Sequence, residues 1–319
     1  PIIACNSFLF NRMVTMNTFK IHILGCGSAL PTLRHNASSQ VVEMGNKFFM
    51  IDCGEGTQMQ LRHTHIHFAK LQAIFISHLH GDHCFGLLGL LSTFGMLGRT
   101  APMHVYAPQE FEIIFREQLA FFCATLGFEV TFHGLDTTQS KIIYEDRGLT
   151  VTTIPLQHRV PTCGFLFREK PKLPHINRAM IDFYHVPVSQ INNIKAGQDW
   201  ISPAGDVIPH EQLTTPANPT RAYAYCSDTR YIPTLHTFLQ GVDVLYHEST
   251  YAEDCAAHAK KYWHSTAKEA AMVARDARVG RLLLGHYSSR YEDEHVLLNE
   301  AKTVFEQSML SDEGLVVTL

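Results

Sequence analysis

The chain has 319 residues, 45% of them hydrophobic and 18% charged, with a formal net charge of −4 at pH 7. That is ample material for a sizeable core, and it excludes a globally basic nucleic-acid binder, so any such contact must come from local charge. The eight cysteines are scattered without a Cys-x-x-Cys pair, which excludes a disulfide framework and reads as reduced thiols in a cytoplasmic protein. No apolar run approaches the ~20 residues that cross a bilayer.

In chain order, residues 1–15 read as an upstream extension: Arg12 follows the mildly apolar Ala4–Phe10 stretch, the wrong order for a secretory signal, and Met16 looks like a natural start. Residues 16–319 read as one domain, with strand-like and helix-like runs alternating throughout and no linker or repeat. His63, His65 and His67 alternate without a nearby acid and read as surface. Leu71–Ile76 is an apolar run of strand length. It feeds Ser77-His-Leu-His-Gly-Asp-His83, which packs His78, His80, Asp82 and His83 into six positions, with Gly81 allowing a tight turn. Phe85–Leu91 follows as an apolar helix, either core or an exposed association surface.

The same strand-then-ligand pattern recurs three times. Val151–Ile154 leads to His158, Ala222–Cys226 to Asp228, and Arg281–Leu284 to His286. Imidazole and carboxylate suit zinc, with manganese, iron or cobalt able to take similar geometry. Seven ligands suit two ions sharing a carboxylate. Such ions, about 3.5–4 Å apart, deprotonate a water held between them and stabilise charge on a phosphodiester. Val242–Tyr246 leads to His247 and Glu248, and Trp263-His-Ser-Thr266 precedes a helical stretch, Ala267–Ala277, that Ser265 or Thr266 can cap.

The His-x-His-x-Asp-His run with its distant His, Asp and His resembles the metallo-β-lactamase superfamily. Leu24–Thr32, Asp52–Gln58, His247–Thr250 and His264–Ala271 resemble the ribonuclease Z branch, which trims tRNA precursors at the 3′ end. The likeness runs from about Phe19 to about Tyr291. It implies an α/β fold, a four-layer αβ/βα sandwich of two mixed sheets with outer helices. It also implies His78, His80 and His158 on one zinc ion, Asp82, His83 and His286 on a second, and Asp228 bridging. Asp52 would support the ligand loop. Asp82 either ligates only or also accepts the water's proton. His264 would donate a proton to the departing sugar oxygen, partnered by Glu248. The helix start would lower the His264 pKa and the carboxylate would raise it. His247 is either a partner of a metal ligand or packing. Arg230 either meets phosphate or forms a local ion pair.

The family's tRNA-gripping arm is an insertion after the third ligand motif. Here it corresponds to about 167–222, where many prolines exclude a long helix. Arg159, Arg168, Lys170, Lys172 and Arg178 against Glu169 give that neighbourhood a local positive balance, which serves either RNA or solubility. The arm's glycine-proline pair is missing; His185–Gly197 stands in its place. The resemblance thus implies an endoribonuclease acting on precursor tRNA, commonly a homodimer. The alternatives are a phosphodiesterase for small or cyclic phosphodiesters, a thioester, lactam or lactone hydrolase, and a non-catalytic RNA-binding module.

Overall fold

A computed structural model describes residues 18–30, 32–64 and 66–319. The extension expected over 1–15, and His65, lie outside these residues; His63 and His67 are exposed. The chain divides into two compact units, one comprising 1–145, 150–167 and 222–319, the other 146–149 and 168–221.

The strands, in chain order, are β1 (Phe19–Gly25), β2 (Ser39–Met44), β3 (Lys47–Ile51), β4 (Leu71–Phe75), β5 (Met103–Pro108), β6 (Val130–Leu135), β7 (Ile142–Glu145), β8 (Leu149–Pro155) and β9 (Cys163–Glu169). They continue with β10 (His175–Ile176), β11 (Trp200–Ile201), β12 (Val207–Ile208), β13 (Thr214–Thr215), β14 (Ala222–Cys226), β15 (Val244–Glu248), β16 (Arg281–Gly285), β17 (Ser308–Leu310) and β18 (Val316–Thr318). Among the described residues two seven-stranded sheets form, in the orders β18-β1-β2-β3-β4-β5-β6 and β17-β16-β15-β14-β9-β8-β7. Both are mixed: β1, β2 and β3 pair antiparallel, whereas β3 to β6 and β14 to β17 run parallel.

Alternation along each strand builds the layers. Phe49 and Phe75 of the first sheet meet Phe165 and Phe167 of the second, with ring centroids 5.4–6.0 Å apart for Phe75–Phe165 and Phe49–Phe167. The opposite-facing Met50, Ile74 and Val105 join Leu87, Leu90, Leu91, Phe94 and Phe115 in the helix-covered core. On the second sheet the helix Ala267–Ala277 packs on β15 and β16. The first unit is therefore helix, sheet, sheet, helix. Of the apolar Phe85–Leu91 stretch, Leu87, Leu90 and Leu91 are core, while Phe85 is 75% exposed; the segment is mostly interior.

Topology places the chemistry. Parallel neighbours end together, so β3 and β4, in register at Ile51 and Phe75, deliver Asp52 and the 77–83 loop to one edge. Likewise β14, β15 and β16, with Cys226 opposite His247 and Glu248 opposite Gly285, deliver Asp228, Glu248 and His286. Loops beyond the carboxyl ends of parallel strands are where an α/β sheet leaves room for ligands.

The second unit is made of short pieces: helices Arg178–Phe183, Ile191–Lys195 and His210–Leu213, and the two-residue ladders β10-β13 and β11-β12. Trp200, Ile181, Ile194 and Leu213 form its own small core. Arg221 grips Glu169 with Nη2 and Nε at 2.7 and 3.0 Å, and Lys172 adds a bond at 2.9 Å. Burial opposes ionisation of Glu169, but these charge-assisted bonds outweigh it and hold the carboxyl at about 2. The described cysteines are free, and no helix among the described residues is long and apolar enough to cross a membrane.

Candidate metal centre

Asp52 organises the ligand loop. Fully buried at the end of β3 with a left-handed φ of 55°, it accepts bonds from Ser77 N (2.7 Å), Ser77 Oγ (2.9 Å), Tyr225 Oη (2.7 Å) and His83 Nδ1 (2.7 Å). Because Nδ1 of His83 donates to Asp52, Nε2 is the nitrogen left facing the centre, able to bind a metal that displaces its proton. Gly54 is required by close approach: a Cβ there would lie 2.3 Å from the Asp82 carbonyl oxygen.

The seven expected ligand residues converge in two adjoining groups. His78, His80, His158 and Asp228 form one group, Asp82, His83 and His286 the other; within each, the ligand atoms lie within 4.8 Å of one another. His78 Nε2 is 3.1 Å from His80 Nδ1 and 3.5 Å from Asp228 Oδ2, which is itself 3.7 Å from His158 Nε2. His83 Nε2 and His286 Nε2 are each 3.4 Å from Asp82 Oδ2, and they lie 3.4 and 3.1 Å from Asp228 Oδ1. Asp228 thus faces one group with each oxygen.

These residues fit a divalent metal. His158 Nε2 and Asp228 Oδ1 are buried without a hydrogen-bond partner, an arrangement costly for polar atoms unless a cation receives their lone pairs. Burial lowers His80 and His158 to about 4, so both are neutral at pH 7. Burial opposes charge on His83 as well, yet Asp228, Asp82 and Asp52 outweigh it and raise its pKa, a measure of the negative potential gathered here. His158 Nδ1 donates to the Trp263 carbonyl at 2.8 Å, which orients Nε2 inward.

Glu248 forms a second, fully buried node. Its Oε1 lies 2.8 Å from His264 Nδ1 and accepts from Thr229 N at 2.9 Å; its Oε2 accepts from Thr250 N and Oγ1 at 3.1 and 2.7 Å. A threonine hydroxyl has one proton. Given to Glu248, it leaves a lone pair for His286 Nδ1–H at 2.9 Å, and so keeps His286 Nε2 bare. Burial disfavours the His264 imidazolium, but the Glu248 carboxylate outweighs it and lifts the pKa to about 9. The carboxylate therefore prevails over the helix start. The cap is Thr266, in a reciprocal capping box with Glu269, while Ser265 Oγ donates to Thr229 O at 2.7 Å and ties the His264 loop to the Asp228 loop.

His247 is buried and donates Nδ1–H to the Glu248 carbonyl at 2.7 Å. The Arg230 guanidinium stacks 4.6 Å above Trp263, and its Nε donates to the Gln157 amide oxygen at 2.6 Å, a local contact other than an ion pair. The sequence reading missed the Thr250 bridge, although Thr250 stands in the motif that drew attention to Glu248. It also missed Tyr251 and Tyr262, which line the cleft beside Asp82, Asp228, His264 and His286, and it counted Arg159 among the arm's cations whereas that side chain lines the same cleft. That cleft encloses about 620 Å³, a volume suited to a nucleotide-sized ligand.

The comparisons agree with this architecture. Residues 19–173 match the family described as Anti-Pycsar protein Apyc1. Ribonuclease Z of Bacteroides fragilis is 56% identical over 304 residues, covering 95% of this chain and 100% of the relative. Ribonuclease Z of Bacteroides thetaiotaomicron is 55% identical over 304 residues, covering 95% and 96%. Among solved structures, human tRNase Z, short form, superposes with a TM-score of 0.69 at 25% identity, covering 93% of this chain and 98% of the other. The metallo-β-lactamase fold protein YhfI from Bacillus subtilis gives 0.67 at 20% identity, covering 95% and 100%, and speaks for the fold. Near-complete coverage by close relatives, on a fold of two mixed sheets with the histidine and aspartate loops at their shared edge, shows that the chain belongs to the ribonuclease Z family.

Proposed function

We propose that the chain is a zinc-dependent endoribonuclease that removes the 3′ trailer from precursor tRNA. The observation that carries this reading is the pairing of a two-group candidate metal centre with His264 held 2.8 Å from the buried Glu248 carboxylate in one cleft. Thioester chemistry has no need of that second device, because a thiolate departs with less help than a ribose oxygen.

His78, His80 and His158 would hold one ion, Asp82, His83 and His286 another, with Asp228 between them; manganese or another transition metal can take the same donors. When bound, the ions supply Lewis-acid charge for the phosphodiester and a water acidified to near neutral pH. The protein does the rest. Asp82, whose carboxyl burial would push up but His83 and His286 hold well below the usual range, is ionised and able to accept a proton. Arg159 lines the cleft beside Asp228 and offers a cation to the phosphate. His264, charged at neutral pH, donates its proton to the departing oxygen, and Glu248 stabilises that charge until transfer.

The unit at 146–149 and 168–221 is the proposed tRNA grip. Its cations (Arg147, Arg168, Lys170, Lys172, Arg178, Lys195, Arg221) barely outnumber its acids (Asp146, Glu169, Asp182, Asp199, Asp206, Glu211). Lys172 and Arg221 are held by Glu169, and Arg178 pairs with Asp182 at 3.0 Å. The grip would therefore rest on a few placed contacts rather than on bulk charge. Two copies would associate through Phe85 and the helix Glu112–Phe122, which exposes Ile113, Ile114, Phe121 and Phe122, since an apolar patch of this kind calls for cover. Free thiols at the described cysteines and a tRNA substrate support a cytoplasmic location.

The test is cleavage mapping of a 5′-labelled precursor tRNA beside a small cyclic nucleotide. A single cut next to the discriminator nucleotide supports the proposal. An intact precursor with hydrolysed cyclic nucleotide transfers the centre to small phosphodiesters.

A further inference from the structure

A second group of ligand-type side chains lies outside the cleft chemistry. Cys26, His35 and Glu313 bring Sγ, Nδ1 and Oε2 together on the strap that follows β1 and the turn that follows β17. Sγ is 3.4 Å from Nδ1, Nδ1 is 2.9 Å from Oε2, and Oε2 is 3.7 Å from Sγ. Tetrahedral zinc, with ligands at about 2.0–2.3 Å, separates its donors by roughly 3.3–3.7 Å. We infer that Cys26, His35 and Glu313 form a structural zinc site, with solvent completing the coordination.

The surroundings are those of a prepared ligand set. The far nitrogen of His35 reaches Glu294 Oε1 at 3.3 Å, the carboxylate–histidine arrangement that orients a ligating imidazole. The other oxygen of Glu313 is already engaged by the backbone N–H of Asn36 at 2.8 Å, which leaves Oε2 to turn toward the ion. Around the group, Arg34 pairs with Glu294 at 2.9 Å, while Glu313 meets only the His35 ring among side chains that can carry positive charge in the described residues. A divalent ion balances that excess better than a proton on His35 does. His35 and Glu313 keep 11% and 14% side-chain exposure, so an ion has a way in. A histidine–glutamate pair alone gives no reason for a buried thiol at 3.4 Å. Binding sends the Cys26 thiol proton and the His35 Nδ1 proton to solvent.

The site sits behind the reactive cleft. Cys26 O accepts from Tyr287 N at 3.0 Å, Ser28 N donates to Tyr287 O at 3.0 Å, and the His35 ring lies 5.4 Å from that of Tyr287. Tyr287 follows His286 directly. An ion here would pin the strap carrying Ser28 and Ala29, which line the cleft, against the loop carrying His286.

Cobalt distinguishes this site from the histidine–aspartate centre, whose proposed ligands include no sulfur. Cobalt-loaded full-length chain is expected to show a thiolate-to-cobalt charge-transfer band in the near ultraviolet, abolished by Cys26→Ser and weakened by Glu313→Gln. Zinc content should fall by one ion per chain in Cys26→Ser while the sulfur-free cobalt absorption of the cleft persists. Should Cys26→Ser not fold, His35→Gln carries the same two readouts. Absence of the band in the wild-type chain, its persistence in Cys26→Ser, or equal zinc content in both overturns the inference, whatever the fate of the tRNA reading.

Discussion

Thr250→Val isolates the bridge between Glu248 and His286. Thr250 is 3% exposed, and valine fills nearly the same volume, so the change removes the hydroxyl without opening a cavity. Glu248 Oε2 then loses a 2.7 Å bond, worth about 1.5–3 kcal/mol for a charged acceptor, and the His286 Nδ1–H loses its 2.9 Å acceptor, worth about 1–3 kcal/mol if left unsatisfied. Part of the second cost is recovered when His286 shifts its proton to Nε2, but that nitrogen is then closed to metal. The metal-free chain should lose about 3 kcal/mol, or roughly 6 °C in melting temperature at ~2 °C per kcal/mol. Zinc affinity at the His286 group should weaken about 10–100-fold, as loss of an orienting partner does elsewhere. Thermal melts of the metal-free chain and zinc titration against a competing chelator read the two effects. A variant that melts with the wild type and binds zinc as tightly would refute the tautomer argument.

Other outcomes follow from the same geometry. His264→Ala should retain metal yet cleave about 10²–10⁴-fold more slowly in single-turnover assays; a wild-type rate removes the proton-donor role. Because the His264 pKa is raised to about 9 by Glu248, the protonated donor dominates below that value and activity falls as pH rises through it. Glu248→Gln should shift this alkaline limb of the kcat profile toward lower pH, and an unmoved limb separates the pair. Thr266→Ala should cost about 1 kcal/mol in denaturant unfolding through loss of the cap. Phe121→Asp should convert a dimer to a monomer in sedimentation velocity, whereas a wild-type chain already monomeric discards that surface.

The convergence of the seven candidate ligands was legible because each follows an apolar strand by a few residues, and parallel strands that end together bring such loops together. Asp228 and His286 are far apart in the chain, yet they follow β14 and β16, which run parallel through β15 and finish at one edge, and His158 follows β8 of the same sheet. The Thr250 bridge was not legible, since it depends on a side-chain distance between neighbouring loops that no spacing encodes. Phe85–Leu91 was ambiguous for a related reason: a nearly continuous apolar run does not say which face meets the core, and Phe85 points out while Leu87, Leu90 and Leu91 point in. In 168–221 the ladders are two residues long, too short for any period to register, so only the prolines spoke.

The central claim is that the histidine–aspartate centre cuts precursor tRNA with metal held partly by Asp228. The most direct test strips the wild-type and Asp228→Asn chains of metal, adds zinc back, and follows a 5′-labelled precursor. The account predicts no cut in either metal-free chain, one cut beside the discriminator nucleotide restored by zinc in the wild type, and none restored in Asp228→Asn. Cleavage by the metal-free chain, or equal restoration in both, would contradict it.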